Sequence, residues 1–239
     1  MSGPARKDEW ATHNEQLTTR KWGILLPLQR GAPESSRVRG GRDTSRMHMK
    51  VIDITNDKEI MYRLEENEQA VFVMENRGGE VVFELAGEEA EAHIFAFYTG
   101  KENERFSPRI IQKHLAPNTV SSATVRARLD GSSSFDFRGL VEIAKGADGS
   151  NAKQDCRALL LSADASAYAS AKPELEIDTD DVTCSHAASI APPDAGQLAY
   201  LATRGISPGQ AITLIADGFF KDVKERIHKL TTENMKPFN

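Results

Sequence analysis

Residues 154–186 read QDCRALLLSADASAYASAKPELEIDTDDVTCSH, and they hold both cysteines of the chain and one of its six histidines. The run ALLL favours an extended segment, a small-residue stretch follows, PELEI returns to an extended form, and the stretch closes on a C-x-H triplet. Soft-metal ligands carried on strands are the theme. Cys184 and His186 stand two apart, so on a continuous strand they leave on the same side, together with Val182. Val182 has the character of a core residue and would turn both ligands inward; a strand ending near Thr183 would free them. A thiolate beside an imidazole suits zinc, copper or an iron–sulfur cluster. The C-x-H spacing is a weak motif, however, and the chain has no C-x-x-C. Cys156, beside ALLL, reads by itself as a core thiol.

Upstream, the chain keeps the same grammar. VFVMENRGGEVVFELAG predicts strands over 71–74 and 81–85 around a turn at Arg77-Gly78-Gly79. Further extended runs are predicted over 93–98, 119–129, 135–143, 157–161, 174–177 and 181–184, after a mixed start that predicts a short helix over 58–66. Short strands at this spacing fit an all-β sandwich, a barrel or a coil of stacked rungs, and no strict repeat chooses among them. His93 and His114 would be the metal ligands of a cupin-like barrel, but neither has a carboxylate or second histidine at close spacing, and both read as structural.

After His186 the pattern becomes helical. Asp194 with Gln197 forms a capping-box signature, Leu198 and Leu201 supply an apolar face, and Gly205 sits at the C′ position, so a helix is predicted over 195–204. Ser207, Pro208 and Gln210 start a second helix, on which Ile212, Ile215, Phe219 and Val223 form an apolar stripe through about residue 229. Leu214 and Phe220 lie off that stripe. Large apolar residues on two faces imply either a surface offered to a partner or simply a wider buried face.

The 239 residues suffice for one good core. No apolar run approaches the roughly 20 residues of a membrane span, and no signal peptide is visible, so the reading is a soluble, cytoplasmic chain with free thiols. Residues 1–46 carry nine Lys/Arg against five Asp/Glu, leaving 21 against 30 for the acidic remainder, which argues against a nucleic-acid partner. Residues 1–48 are expected to be a disordered spacer, or an over-extended start ahead of Met47 or Met49. Residues 49–190 are expected to form the β core and 191–239 a helical region. Gly100–Glu102 lacks the rest of a P-loop, and no G-x-S-x-G occurs, so no enzymatic activity is predicted.

Taken together, KPELEIDTDDVTCSHAAS and LAYLATRGISPGQAITLIADGFFKDV, with HLAPNT, FRGLVEIAKGADGSNAKQ and ALLLSADA upstream, resemble the SufB/SufD family, the scaffold subunits of the SUF iron–sulfur cluster assembly machinery. The resemblance covers about residues 70–229 and is most specific in the C-terminal half. It implies a mainly β protein, a right-handed parallel β-helix with a C-terminal helical pair. It also implies a second SufB/SufD-type subunit, or a second copy of this chain, as partner. A SufC-like ABC-type ATPase would dock on the C-terminal helices, and Ile212, Leu214, Ile215, Phe219 and Phe220 would be its contacts. Cys156 resembles the SufB cysteine that precedes a similar leucine run and takes part in building the nascent cluster. His186 resembles the SufD histidine that faces it across the subunit interface, and Cys184 the neighbouring SufD-type cysteine. A transient iron–sulfur cluster is thus implied at Cys156, Cys184 and His186. Flavin is not carried over, since no residues here mark it. The chain is much shorter than a typical SufB or SufD, which implies a minimal or divergent scaffold. Two alternatives are a partner of the same fold without cluster chemistry and a small cupin-like metal protein.

Overall fold

The computed structural model describes residues 49–162, 164 and 166–232; the expectation for residues 1–48 lies outside them. The chain is mainly β, with two helices at its C-terminal end. Strands β1 (Lys50–Asp53), β3 (Gln69–Glu75), β5 (Glu91–Gly100), β8 (Val120–Leu129), β10 (Asn151–Leu160) and β12 (Thr183–Ala191) form one sheet in that order. Strands β2 (Met61–Leu64), β4 (Gly79–Leu85), β7 (Pro108–His114), β9 (Ser134–Ile143) and β11 (Tyr168–Ile177) form the other, with the short β6 (Arg105–Phe106) beside β9. All pairings are parallel, and the chain alternates between the sheets. The turn at residues 77–79 is therefore a corner between sheets, not a hairpin.

The register explains why no fixed period is visible. Gln69 pairs with Glu91, Glu91 with Val120, Val120 with Asn151 and Asn151 with Thr183, so the step grows through 22, 29, 31 and 32 residues. The strand interiors keep one rule while the corners vary freely in length.

Each strand places alternate residues inward. The inner faces of both sheets meet in one core, in which Tyr62, Phe72 and Phe83 cluster at 4.8–5.6 Å between ring centres. Tyr98, Phe106, Phe135 and Phe137 continue the aromatic filling. The predicted helix over 58–66 is replaced by strand β2, because Met61–Leu64 pair with Val82–Leu85 of β4 and bury Leu64 at 3% exposure. Pairing within the second sheet overrides a weak local preference there. Strand β7 was not foreseen; its run PRIIQKH places Ile110 inward but also Gln112 and His114.

Helix α1 (Ala195–Thr203) starts where the capping residues predict, with Asp194 Oδ1 accepting the Gln197 N–H at 2.8 Å and Gly205 at φ +77° past its end. Helix α2 (Pro208–Thr232) starts on a Ser207–Gln210 box, in which the Ser207 N–H donates to Gln210 Oε1 at 3.2 Å. Its buried stripe is Ala216, Phe220, Val223 and Ile227, against the outer face of the first sheet. Phe220, placed off the stripe by the sequence reading, packs edge-on against Phe97 at 5.2 Å and lies under Arg128 at 4.8 Å. Burial of such a ring contributes roughly 2–3 kcal/mol.

Candidate functional site

β10 begins six residues earlier than the apolar run ALLL predicts, because its inward positions Ala152, Gln154, Cys156 and Ala158 are small or amphipathic. β12 runs on to Ala191, well past His186. The two strands pair in register, with Ala152 beside Cys184, Gln154 beside His186 and Cys156 beside Ala188. Cys156, Cys184 and His186 therefore share one face of one sheet, as the C-x-H spacing anticipates for the latter two. They form a diagonal line instead of a cluster. Strands about 4.8 Å apart and a two-residue offset put the Cα atoms of Cys156 and His186 roughly 8 Å apart, and Cys156 and Cys184 roughly 14 Å. Among the described residues, no group of three or more His, Cys, Asp or Glu side chains could hold a metal ion.

The three differ sharply in surroundings. Cys156 is 1% exposed in the main core, and burial pushes its thiol up to about 12, with Arg126 pulling weakly the other way. As placed it is a protonated core thiol and not a nucleophile. Cys184 is half-buried, packed with Val182 against Val141, Ile143, Ala147 and Ala152, and burial raises its thiol too, partly offset by the Ser185 amide. His186 is exposed. β12 is the last strand of its sheet and pairs only with β10 among the described residues.

A buried polar chain that the sequence reading passed over runs through the interior next to this face. His114 contacts Thr119 Oγ1 through Nδ1 and Ser121 Oγ through Nε2, both at 2.7 Å. Thr119 Oγ1 meets Ser150 Oγ at 2.7 Å. Gln112 Nε2 donates to Ser121 Oγ at 2.6 Å, and Gln154 Nε2 donates to Gln112 Oε1 at 3.1 Å. Gln154 Oε1 ends the chain, buried and without a donor among the described residues. It lies where a Cβ on Gly139 would be, so a larger residue at 139 would have to displace the Gln154 amide. Burial holds the His114 imidazolium down to about 4, so the ring is neutral at ordinary pH. The available signal was polar residues at inward positions of an apolar alternation.

His93 faces the other way, outward from β5, between Ser122 Oγ at 2.7 Å and Glu91 Oε1 at 2.8 Å. With His93 outside and His114 inside, the two cannot line one metal cavity, which removes the cupin-like alternative. Both are structural histidines, as read.

On the outer face, α2 carries Leu214, Ile215 and Phe219 toward α1. With Tyr200 and Leu201 they line a groove of about 690 Å³. Leu214 is 54% and Tyr200 59% exposed. Ile212 lines a separate pocket beside Arg128 and Leu161. Phe220 is buried and not offered to a partner; the residues expected as one docking set thus divide among three surroundings.

The family described as SUF system FeS cluster assembly, SufBD core domain, matches residues 67–219. An iron–sulfur cluster assembly SufBD family protein of Mycobacterium bovis is 30% identical over 143 residues, 60% of this chain and 17% of that protein. SufD of Bacillus subtilis is 36% identical over 137 residues, 57% of this chain and 30% of that protein. SufB of the same organism is 31% identical over 108 residues, 45% of this chain and 23% of that protein. The matched region spans less than a third of each of these relatives.

Proposed function

Because the chain belongs to the SufBD family of the SUF system for iron–sulfur cluster assembly, we propose that it is a non-enzymatic scaffold on which a cluster is built as cargo and handed on. The observation that carries this reading is the bare face of β12. It presents Cys184 and His186 in register with the buried face of β10, beside an edge that pairs with nothing among the described residues. A long edge strand is a template for another chain. A SufB/SufD-type subunit or a second copy seated there would bring its own ligands to the diagonal line and complete a set that one chain lacks. Incomplete cysteine ligation then leaves the cluster labile enough to transfer.

The alternation of parallel strands between two sheets supports the right-handed β-helix architecture, with β12 on its last coil. The groove between α1 and α2 is the docking surface for a SufC-like ATPase, through Leu214, Ile215 and Phe219. Cytoplasmic location fits a chain with free thiols in which no described helix is long and apolar enough to cross a membrane.

A second reading, a partner of the same fold without cluster chemistry, is favoured by the burial of Cys156. Anaerobic reconstitution with iron and sulfide decides between them. The wild type would be compared with Cys156→Ala and His186→Ala, alone and with the cognate ATPase and sibling scaffold. A cluster absorption band present in wild type and lost in either variant supports the scaffold. Cluster formation indifferent to both substitutions overturns the assignment of the site.

A further inference from the structure

Helix α2 is joined to the strand carrying Cys156 by a chain of contacts on the outer face. One side of Phe219 lines the groove with α1, and its ring lies against the guanidinium of Arg126 at 5.8 Å. Arg126 projects outward from β8 yet is only 4% exposed. Its Nη2 donates to Asp155 Oδ2 at 2.6 Å, and its Nη1 donates to the carbonyls of Val125 at 2.9 Å and Asp155 at 3.3 Å. Asp155 precedes Cys156 on β10, and Val125 is the register partner of Cys156. The guanidinium therefore clamps β8 to β10 at the level of the thiol.

The clamp is a costly structure. A buried ion pair recovers its desolvation only with complete hydrogen bonding and shielding from water. Arg157 shares the Asp155 carboxylate at 3.2 Å, and Arg226 of α2 adds a third guanidinium nearby, so positive charge exceeds negative. The face of an aromatic ring favours such a cation, and Phe219 supplies one from α2.

We propose that Phe219 and Arg126 are positioning residues for Cys156: α2 latches β10 from outside, and release of the Phe219–Arg126 contact lets the strand yield so that the thiol can be reached. The inference rests on the reading of Cys156 as a reacting residue. Since Phe219 also lines the α1–α2 groove, an occupant of that groove meets the latch directly.

The test is the alkylation rate of Cys156 by iodoacetamide in the full chain carrying Cys184→Ser, in which Cys156 is the remaining thiol. The global unfolding rate of each variant is measured in parallel. Phe219→Leu and Arg126→Lys should each raise the rate about tenfold, and the double variant should be no faster than the faster single. Phe219→Tyr, which keeps the ring, should stay near wild type. So should Asp217→Asn, which loosens α2 at its salt bridge to Arg128 instead. An unchanged rate in Phe219→Leu, or rates that follow global unfolding across all variants, overturns the latch. If Arg126→Lys does not fold, the Leu and Tyr variants at 219 decide. The experiment involves no iron, so its failure leaves the scaffold reading to reconstitution alone.

Discussion

β10 and β12 lie side by side in one sheet, in register over nine pairs, and both mix small and polar residues at inward positions. Their fates diverge. On β10 the inward side chains Ala152, Gln154, Cys156 and Ala158 are at most 4% exposed. On β12 the corresponding Cys184 is half-buried, His186 and Ala188 are exposed, and Ile190 is 39% exposed. β10 is opposed across the core by β7 and β9, as the Gln154–Gln112 bond shows. β12 lies against the end strand β11, which is itself largely exposed and so gives it little cover. Backbone pairing sets which way a side chain leaves; an opposing sheet decides whether it is buried.

The largest test of that contrast places the same charge on both strands. Ala158→Asp should cost more than about 4 kcal/mol, enough to unfold a marginal domain, because the carboxylate enters a core without a partner. Ala188→Asp on the bare strand should cost about 1 kcal/mol or less. Urea unfolding followed by circular dichroism checks both. Equal costs would mean that β12 is covered in solution, which is what a partner seated on its face would produce.

Next in size is a pH effect confined to the enclosed side. His114 has its folded value depressed to about 4 from the ordinary 6.5. Above pH 6.5 the ring is neutral in both states and its contribution is complete. As pH falls from 6.5 to 4 the unfolded chain takes a proton that the folded chain refuses, and stability drops by about 3 kcal/mol. His114→Gln should flatten this acid limb in unfolding curves taken at successive pH values.

The thiols give a kinetic form of the comparison. At pH 8, mass spectrometry of alkylated protein should find Cys184 modified about a hundredfold faster than Cys156, since one is reached from solvent and the other requires opening. The alkaline limb follows the same division: Cys156 titrates near 12 when folded and near 9 when unfolded. Its contribution is therefore complete below pH 9 and is lost as pH rises toward 12. The smallest effect is expected from Gln154→Leu. It frees Gln112 Oε1 of its donor but also removes a buried acceptor that has none, so the net change should stay within about 1 kcal/mol.

The places of most strands, though not of β7 or the full extents of β10 and β12, the shared side of Cys184 and His186, both helix starts and the structural character of His93 and His114 were legible in the sequence. Each depends on neighbours within a few residues: alternation along a strand, a capping side chain, a glycine at positive φ. The short β2 was misread for the complementary reason, since its extended form comes from β4, about twenty residues away.

Everything that decides the chemistry is set over longer distances. Parallel pairing joins residues 20 to 34 positions apart, with no constant period for a pattern to reveal. Whether Cys156 is a sealed thiol, whether His186 faces solvent, and whether Phe220 or Phe219 meets the outside depend on which sheet or helix lies opposite. The sequence by itself determined the local conformations and the side from which each candidate ligand leaves its strand. Tertiary structure alone decided which of those sides are covered, because burial belongs to pairs of surfaces brought together from distant parts of the chain.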